Sequence, residues 1–205
     1  MREQKMRAGL GALALLAASV AALPCAPAAA QGARPARIQA ETGEPGTFAV
    51  GELVDSGHRF FGTVSRGLAL TVQEAVRRWG EPNGYVLGEE ASGAFFGGLR
   101  YGEGTLYTRG AGRRRVFWQG PSLGFDVGGE GARTMMLVYN MPSKDALFRR
   151  FVGVDGSAYL VGGFGMTAAV ADEMVVVPIR SGVGARLGVN MGYLKFTGQP
   201  TWNPF

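Results

Sequence analysis

Val183, Ala185, Leu187, Val189, Met191 and Tyr193 are apolar, and between them stand Gly182, Gly184, Arg186, Gly188, Asn190 and Gly192. This period-two alternation runs longer than a common strand and predicts one apolar face. The other face is almost bare of side chains, which lets a sheet coil sharply or another backbone approach closely. From Tyr85 onward, shorter apolar runs (YVLG, AFFGGLRYG, TLYT, VFWQ, TMMLVYN) are separated by Gly, Asp, Pro or Asn clusters, the signature of successive strands. Ser143 to Phe151 breaks the series. It follows Pro142, ends in Arg149, Arg150 and Phe151, and predicts a short helix. Residues 157–170 and 174–180 predict the two arms of a hairpin turning at Ala171-Asp172-Glu173.

Ahead of the strands the period changes. Leu53, Phe60 and Phe61 lie at i, i+7 and i+8 and can share one helical face. Thr71 and Glu74 have the spacing of a capping box, and Val72, Ala75, Val76 and Trp79 continue it as an apolar stripe. Gly80 predicts the end of that helix, and Glu81-Pro82-Asn83-Gly84 a turn. The expected class is therefore α+β and mainly β, a small closed β-barrel of about eight strands with two or three short helices. Closure leaves no exposed strand edge.

Composition adds the extremes of the chain. Arg2, Lys5 and Arg7, then the apolar residues 8–23, then Ala28-Ala29-Ala30 have the layout of a signal peptide, with cleavage expected between Ala30 and Gln31. The apolar stretch is shorter than the roughly 20 residues that span a bilayer. Residues 31–46 (QGARPARIQAETGEPG) lack periodicity and read as a flexible leader, leaving 47–205 as the domain. Export removes Cys25, the single cysteine, so the mature chain is expected to hold together without a disulfide. Pro24 directly before Cys25 fits a lipoprotein signal poorly. The formal charge of +5 falls to about +3 without Arg2, Glu3, Lys5 and Arg7, a balance that does not call for nucleic acid. Glycine is the outlier, 34 of 205 residues, more than twice the usual ~7%.

The strings SGHRFFG, EPNGYVLGEEASGAFFGGLRYGEGTLYT, VFWQGPSLGFDVGGEGARTMMLVYN, RRFVGVDGSAYLVGG, VPIRSGVGARLGVNMGYLKFT and PTWNPF resemble the EipA-type envelope integrity proteins from about Phe48 to Phe205. The resemblance implies a periplasmic protein with a small eight-stranded β-barrel, a role in maintaining the cell envelope and no established enzymatic activity. It carries no catalytic residues over. FDVGGEGARTMMLVYNMPSKDALFRRF, followed by SAYLVGG and RLGVNMGYLKF, is more distantly similar to the SYLF lipid-binding domains, which favours a lipid or amphiphile as ligand.

Candidate chemistry is sparse. His58 is the only histidine, and no G-x-S-x-G elbow accompanies it, so a Ser-His-Asp arrangement is not expected. Without a mature cysteine a typical zinc site lacks ligands. Glu89 and Glu90 are adjacent, and neighbours on a strand point to opposite faces, so they cannot flank one glycosidic bond. Both are expected as turn or surface carboxylates, any second acid coming from Glu103, Asp126 or Glu130. Gly182-Val183-Gly184 with Gly188 is followed by a strand rather than the helix a dinucleotide site needs. Arg113, Arg114 and Arg115 before Trp118 form a candidate basic hairpin tip for the phosphates of a lipid or an anionic glycan, or a solvated turn. The terminal Phe205 does not end a membrane strand: Asn203, Thr201, Gln199 and Thr197 step back from it as polar residues, and Pro200 and Pro204 break the ladder.

The expected function is support of the cell envelope by a soluble periplasmic protein that binds an envelope lipid, lipopolysaccharide or glycan. The alternatives are a scaffold acting through a protein partner and a cell-wall hydrolase. No enzyme activity, cofactor, metal, nucleic acid or transmembrane segment of the mature chain is expected.

Overall fold

A computed structural model of the chain describes residues 46–63, 65–93, 99–121, 132–154, 159–181, 192–201 and 203. The expected signal segment with its exit at Ala30 and Gln31, the leader up to residue 45, Asp126, Glu130 and the stretch Gly182–Met191 lie outside the described residues. Among the described residues two helices, α1 (Val50–Phe61) and α2 (Arg66–Trp79), precede ten strands. These are β1 (Gly84–Gly93), β2 (Leu99–Thr108), β3 (Gly112–Pro121), β4 (Ala132–Tyr139), β5 (Arg150–Gly153), β6 (Tyr159–Val161), β7 (Phe164–Met166), β8 (Ala169–Ala171), β9 (Met174–Ser181) and β10 (Tyr193–Thr197).

Eight strands close into a barrel in the order β4-β1-β2-β3-β10-β5-β8-β9, and β9 pairs back onto β4. Every neighbouring pair is antiparallel. The hairpin β6–β7 attaches to the far end of β9, where Phe164 stands opposite Ser181. The expected closed barrel with helices at the N-terminal side is thus the observed one.

Strand alternation sorts the apolar residues into two cores. Met136 and Val138 of β4 point into the barrel with Val86, Leu106, Trp118, Phe151, Val176 and Phe196. Met135, Leu137 and Tyr139 of the same strand point outward onto Leu53 of α1 and Leu68, Val72 and Ala75 of α2. Both faces of β4 are therefore apolar, because one lines the barrel and the other is covered by helices. The barrel interior is filled by its own side chains, as small eight-stranded barrels are.

Glycine makes room for the largest of these side chains. Gly88 of β1 and Gly102 of β2 occupy inward positions around Trp118 of β3, and Gly102 is its direct register partner. A Cβ at Gly88 would lie 2.7 Å from Trp118 Cη2, and one at Gly102 would fall within the indole. The bare positions let β1, β2 and β3 curve tightly around one ring, which is 1% exposed.

Three local expectations change. Helix α2 begins six residues earlier than the T-x-x-E spacing predicts. Its N-cap is Ser65, whose side chain accepts from Leu68 N at 3.4 Å. Thr71 sits inside the helix and donates to the carbonyls of Gly67 (2.8 Å) and Val161 (3.1 Å). Glu74 pairs with Arg77 and Arg78 instead of the backbone. Hydrogen bonds from these two side chains, together with their charges, outweigh desolvation and hold its carboxyl pKa at about 2. The predicted helix from Ser143 to Phe151 is a single 3-10 turn, Lys144–Leu147, followed by β5. Pairing of Phe151 with Leu194 places that ring in the barrel core, and this burial outweighs helix continuation. The long arm predicted over 157–170 is three short strands, β6, β7 and β8, with Gly162 and Gly163 both at positive φ in the first turn. The turn at Asp172, φ 52°, falls where it is expected.

Replacing Gly102 by alanine is expected to destabilise the barrel by about 1–3 kcal/mol, the usual cost of overpacking, through displacement of the indole. A lowered urea midpoint together with altered Trp118 fluorescence checks it.

Candidate functional site

One polar cluster interrupts the apolar interior of the barrel. Glu90 of β1 points inward and is 6% exposed. Its Oε2 accepts from Trp118 Nε1 at 2.8 Å. Arg180 of β9 grips both oxygens, Nε to Oε1 at 3.1 Å and Nη2 to Oε2 at 3.2 Å. Arg100 of β2 approaches Oε1 at 3.8 Å, and its Nε donates to the Pro121 carbonyl at 2.9 Å. Burial pushes the Glu90 carboxyl up. The charges of Arg180 and Arg100 and the hydrogen bonds from Trp118 and Arg180 outweigh it, so its pKa lies below the ordinary 4.5. The cluster ties β1, β2, β3 and β9 together across the barrel.

On the outer wall β1, β2 and β3 present a cavity of about 580 Å³. Its side chains come in two rows set by register. Glu89, Glu103 and Phe117 stand directly opposite one another on β1, β2 and β3, and Ala91, Tyr101 and Gln119 form the next row. Arg115 borders the first row, and Pro200 and Thr201, beyond β10, make the far wall. The small Ala91 opens the space and the rings of Tyr101 and Phe117 supply flat apolar surface. Glu103 pairs with Arg115 at 2.8 Å, and Glu89 with Arg133 at 3.9 Å, which offsets the like charges of the facing glutamates. Gln119 is 1% exposed. Its Nε2 and the Tyr139 hydroxyl are the two buried side-chain polar atoms without a hydrogen-bond partner among the described residues. An unmade buried hydrogen bond costs about 1–3 kcal/mol, so a stranded donor in a cavity wall marks a place for an acceptor.

The family described as envelope integrity protein A (EipA) matches residues 46–205, most of the chain. The protein belongs to the EipA family. A crystal structure of a β-barrel-like, uncharacterised protein from Brucella abortus is similar at 58% identity and a TM-score of 0.74, covering 78% of this chain and 100% of that one. No curated protein matches. The EipA family and the eight-stranded barrel are those the sequence resemblance implies. Among the described residues no helix is long and apolar enough to cross a membrane.

In this EipA protein the four residues singled out from sequence do not converge. Arg113, Arg114 and Arg115 lie within β3 rather than at a hairpin tip, which falls at Arg109-Gly110-Ala111. Arg113 sits over the Tyr107 ring, Arg114 pairs with Asp145, and Arg115 pairs with Glu103, so the run is not a free basic patch. Trp118 is inside the barrel, on the face opposite Arg115. Arg115 alone brings its charge to the outer cavity. Glu89 is exposed, as expected, whereas Glu90 is buried, contrary to its reading as a surface carboxylate. The two do point to opposite faces. His58 bonds through Nε2 to the Ser65 carbonyl at 3.1 Å and links α1 to the start of α2. Among the described residues no group of three or more His, Cys, Asp or Glu is placed to hold a metal ion. Tyr101, Phe117 and Gln119 were not legible as a site from sequence. Their only signal is that they alternate with inward residues on adjacent strands.

Neighbouring glutamates are expected to behave oppositely. Glu90→Gln strands two buried guanidinium groups and costs about 3–5 kcal/mol. Glu89→Gln removes an exposed pair and costs less than about 1 kcal/mol. Because the folded pKa of Glu90 is lowered, its stabilisation is complete above the ordinary 4.5 and is lost as pH falls through the folded value. Urea melts from pH 7 down to pH 3 check both points: the acid-side loss of stability should shrink in Glu90→Gln.

Proposed function

We propose that this protein supports the envelope as a soluble periplasmic binding module, and that its ligand is a neutral glycan held in the outer cavity of β1, β2 and β3. The single observation that carries this reading is the buried Gln119 amide nitrogen, a donor without an acceptor in the wall of that cavity. A ligand oxygen that reaches this part of the wall would satisfy it, and an acetamido carbonyl is a strong acceptor of that kind. Tyr101 and Phe117 offer ring faces to the apolar side of a sugar, and Glu89 and Glu103 accept from hydroxyl or amide hydrogens.

Two observations weigh between the ligand classes. The interior of the barrel is filled, which disfavours an acyl tail in the lumen. The outer cavity carries Glu89 and Glu103 against Arg115, which disfavours the phosphates of a lipid or of lipopolysaccharide. The size of the cavity, about 580 Å³, lies within the range of small-ligand sites. Recognition through an amide, two carboxylates and two rings calls for binding, without a catalytic step.

Titration with a disaccharide of N-acetylglucosamine, followed by NMR, is expected to move the side-chain amide signal of Gln119. Gln119→Leu or Phe117→Ala should weaken binding about tenfold, the equivalent of one hydrogen bond or one stacking contact. The same variants, correctly folded, should fail to restore envelope resistance to a deletion strain. Unmoved signals across neutral saccharides, with a response to phospholipid vesicles instead, would replace the glycan by a lipid.

A further inference from the structure

A second cavity, about 670 Å³, lies beside the first and shares a wall with it. It is lined by Phe61 at the end of α1 and Thr63 just after it, by Arg133 of β4, by Phe164 and by Ser181 at the end of β9, and again by Glu89. Glu89 belongs to both linings. The register explains the sharing, since Arg133, Glu89, Glu103 and Phe117 are successive cross-strand partners from β4 to β3. The ridge between the two cavities is therefore Glu89 with its cross-strand partner Arg133, two long, exposed side chains. The Arg133 and Glu89 side chains are 49% and 63% exposed, and a pair so placed contributes little to stability and can be replaced by a polar ligand. Arg133 also donates from Nη1 to the Phe60 carbonyl at 3.1 Å, which fixes the ridge to the C-terminal end of α1.

We propose that the two cavities are consecutive subsites for one linear chain of N-acetylated amino sugars, which crosses the Glu89–Arg133 ridge. The inference rests on the glycan reading of the first cavity and adds to it the polymeric nature of the ligand. The acids and arginines along the row balance in charge, two of each with Arg115 included, which suits a neutral polymer. Acetamido groups present both a carbonyl for Arg133 or Gln119 and an N–H for Glu89 or Glu103. Thr63 and Ser181 add hydroxyls for ring substituents in the second cavity. Each cavity by itself has the volume of a small-ligand site, and a chain filling both gains from the second without a second loss of translational freedom.

The test is calorimetric titration of the full exported chain with N-acetylglucosamine oligomers of two, four and six units. Affinity should rise about tenfold or more between the shortest and the longest oligomer. Thr63→Trp combined with Ser181→Trp, both exposed positions, should fill the second cavity. That variant is expected to lose the gain with length while binding the disaccharide as before. Disaccharide binding that is sensitive to Gln119→Leu, with no gain on lengthening, overturns the two-cavity track and leaves the first cavity standing. A gain that survives the double tryptophan variant overturns it equally. Absence of binding at every length removes the glycan reading together with the track.

Discussion

The hydrogen bond from the Trp118 indole to the buried carboxylate of Glu90 is the contact on which the arrangement depends. A small barrel closes only if its interior is filled without strain, and here the filling group is the largest side chain available. Its ring fits because Gly88 and Gly102 face it without side chains. Its polar N–H would be an orphan in such a place, and Glu90 supplies the acceptor. Glu90 in turn would be an isolated buried anion, and Arg180 and Arg100 neutralise it. The members of this chain of requirements are spread over four strands, β1, β2, β3 and β9, so closure of the barrel and satisfaction of the cluster are one condition.

The outer cavity inherits its geometry from that condition. With Trp118 pointing in, Phe117 and Gln119 must point out; with Glu90 in, Glu89 and Ala91 must point out. The rows of the cavity are therefore fixed by the same register that fixes the interior, and a ligand there would meet side chains carried on paired strands. A site built on strands holds its groups more closely than one built on loops. Helices α1 and α2 cover a different part of the wall, the outer faces of β4 and β9 and the start of β1, and leave the outer surface of β2 and β3 to the cavity.

Much of the fold was legible in the sequence. The apolar runs of β1, β3 and β4, the stripe of α2 and the turn at Asp172 follow from pattern alone, and the excess of glycine pointed to a tightly bent sheet. What was not legible has a common cause. In YVLGEEA neither parity is purely polar, since the start of β1 is covered by a helix on one side and by the core on the other. Alternation then carries no sign, and which of Glu89 and Glu90 is buried cannot be read. The same holds for MMLVY in β4. The arginine run misled for the opposite reason: Gly110 and Gly112 just before it signal a turn, but Arg113, Arg114 and Arg115 pair with Tyr107, Leu106 and Thr105 and belong to the strand. Ser143–Phe151 carries helix signals throughout, and only the long-range pairing of Phe151 with Leu194 turns its end into β5.

A filled lumen and an outer cavity have different consequences for a protein of the envelope. A barrel interior receives a ligand through its mouth, so it suits a free tail or a small molecule, and polymers enter only by their ends. A cavity on the outer wall, such as the one lined by Glu89, Glu103 and Phe117, would instead suit the middle of a chain whose ends are engaged elsewhere. The envelope is built largely from molecules of that second kind, cross-linked or anchored at their ends. Placing the buried charge cluster inside and the rings, acids and amide outside therefore separates two tasks. The interior keeps a disulfide-free barrel closed, and the wall is left free for the recognition proposed above.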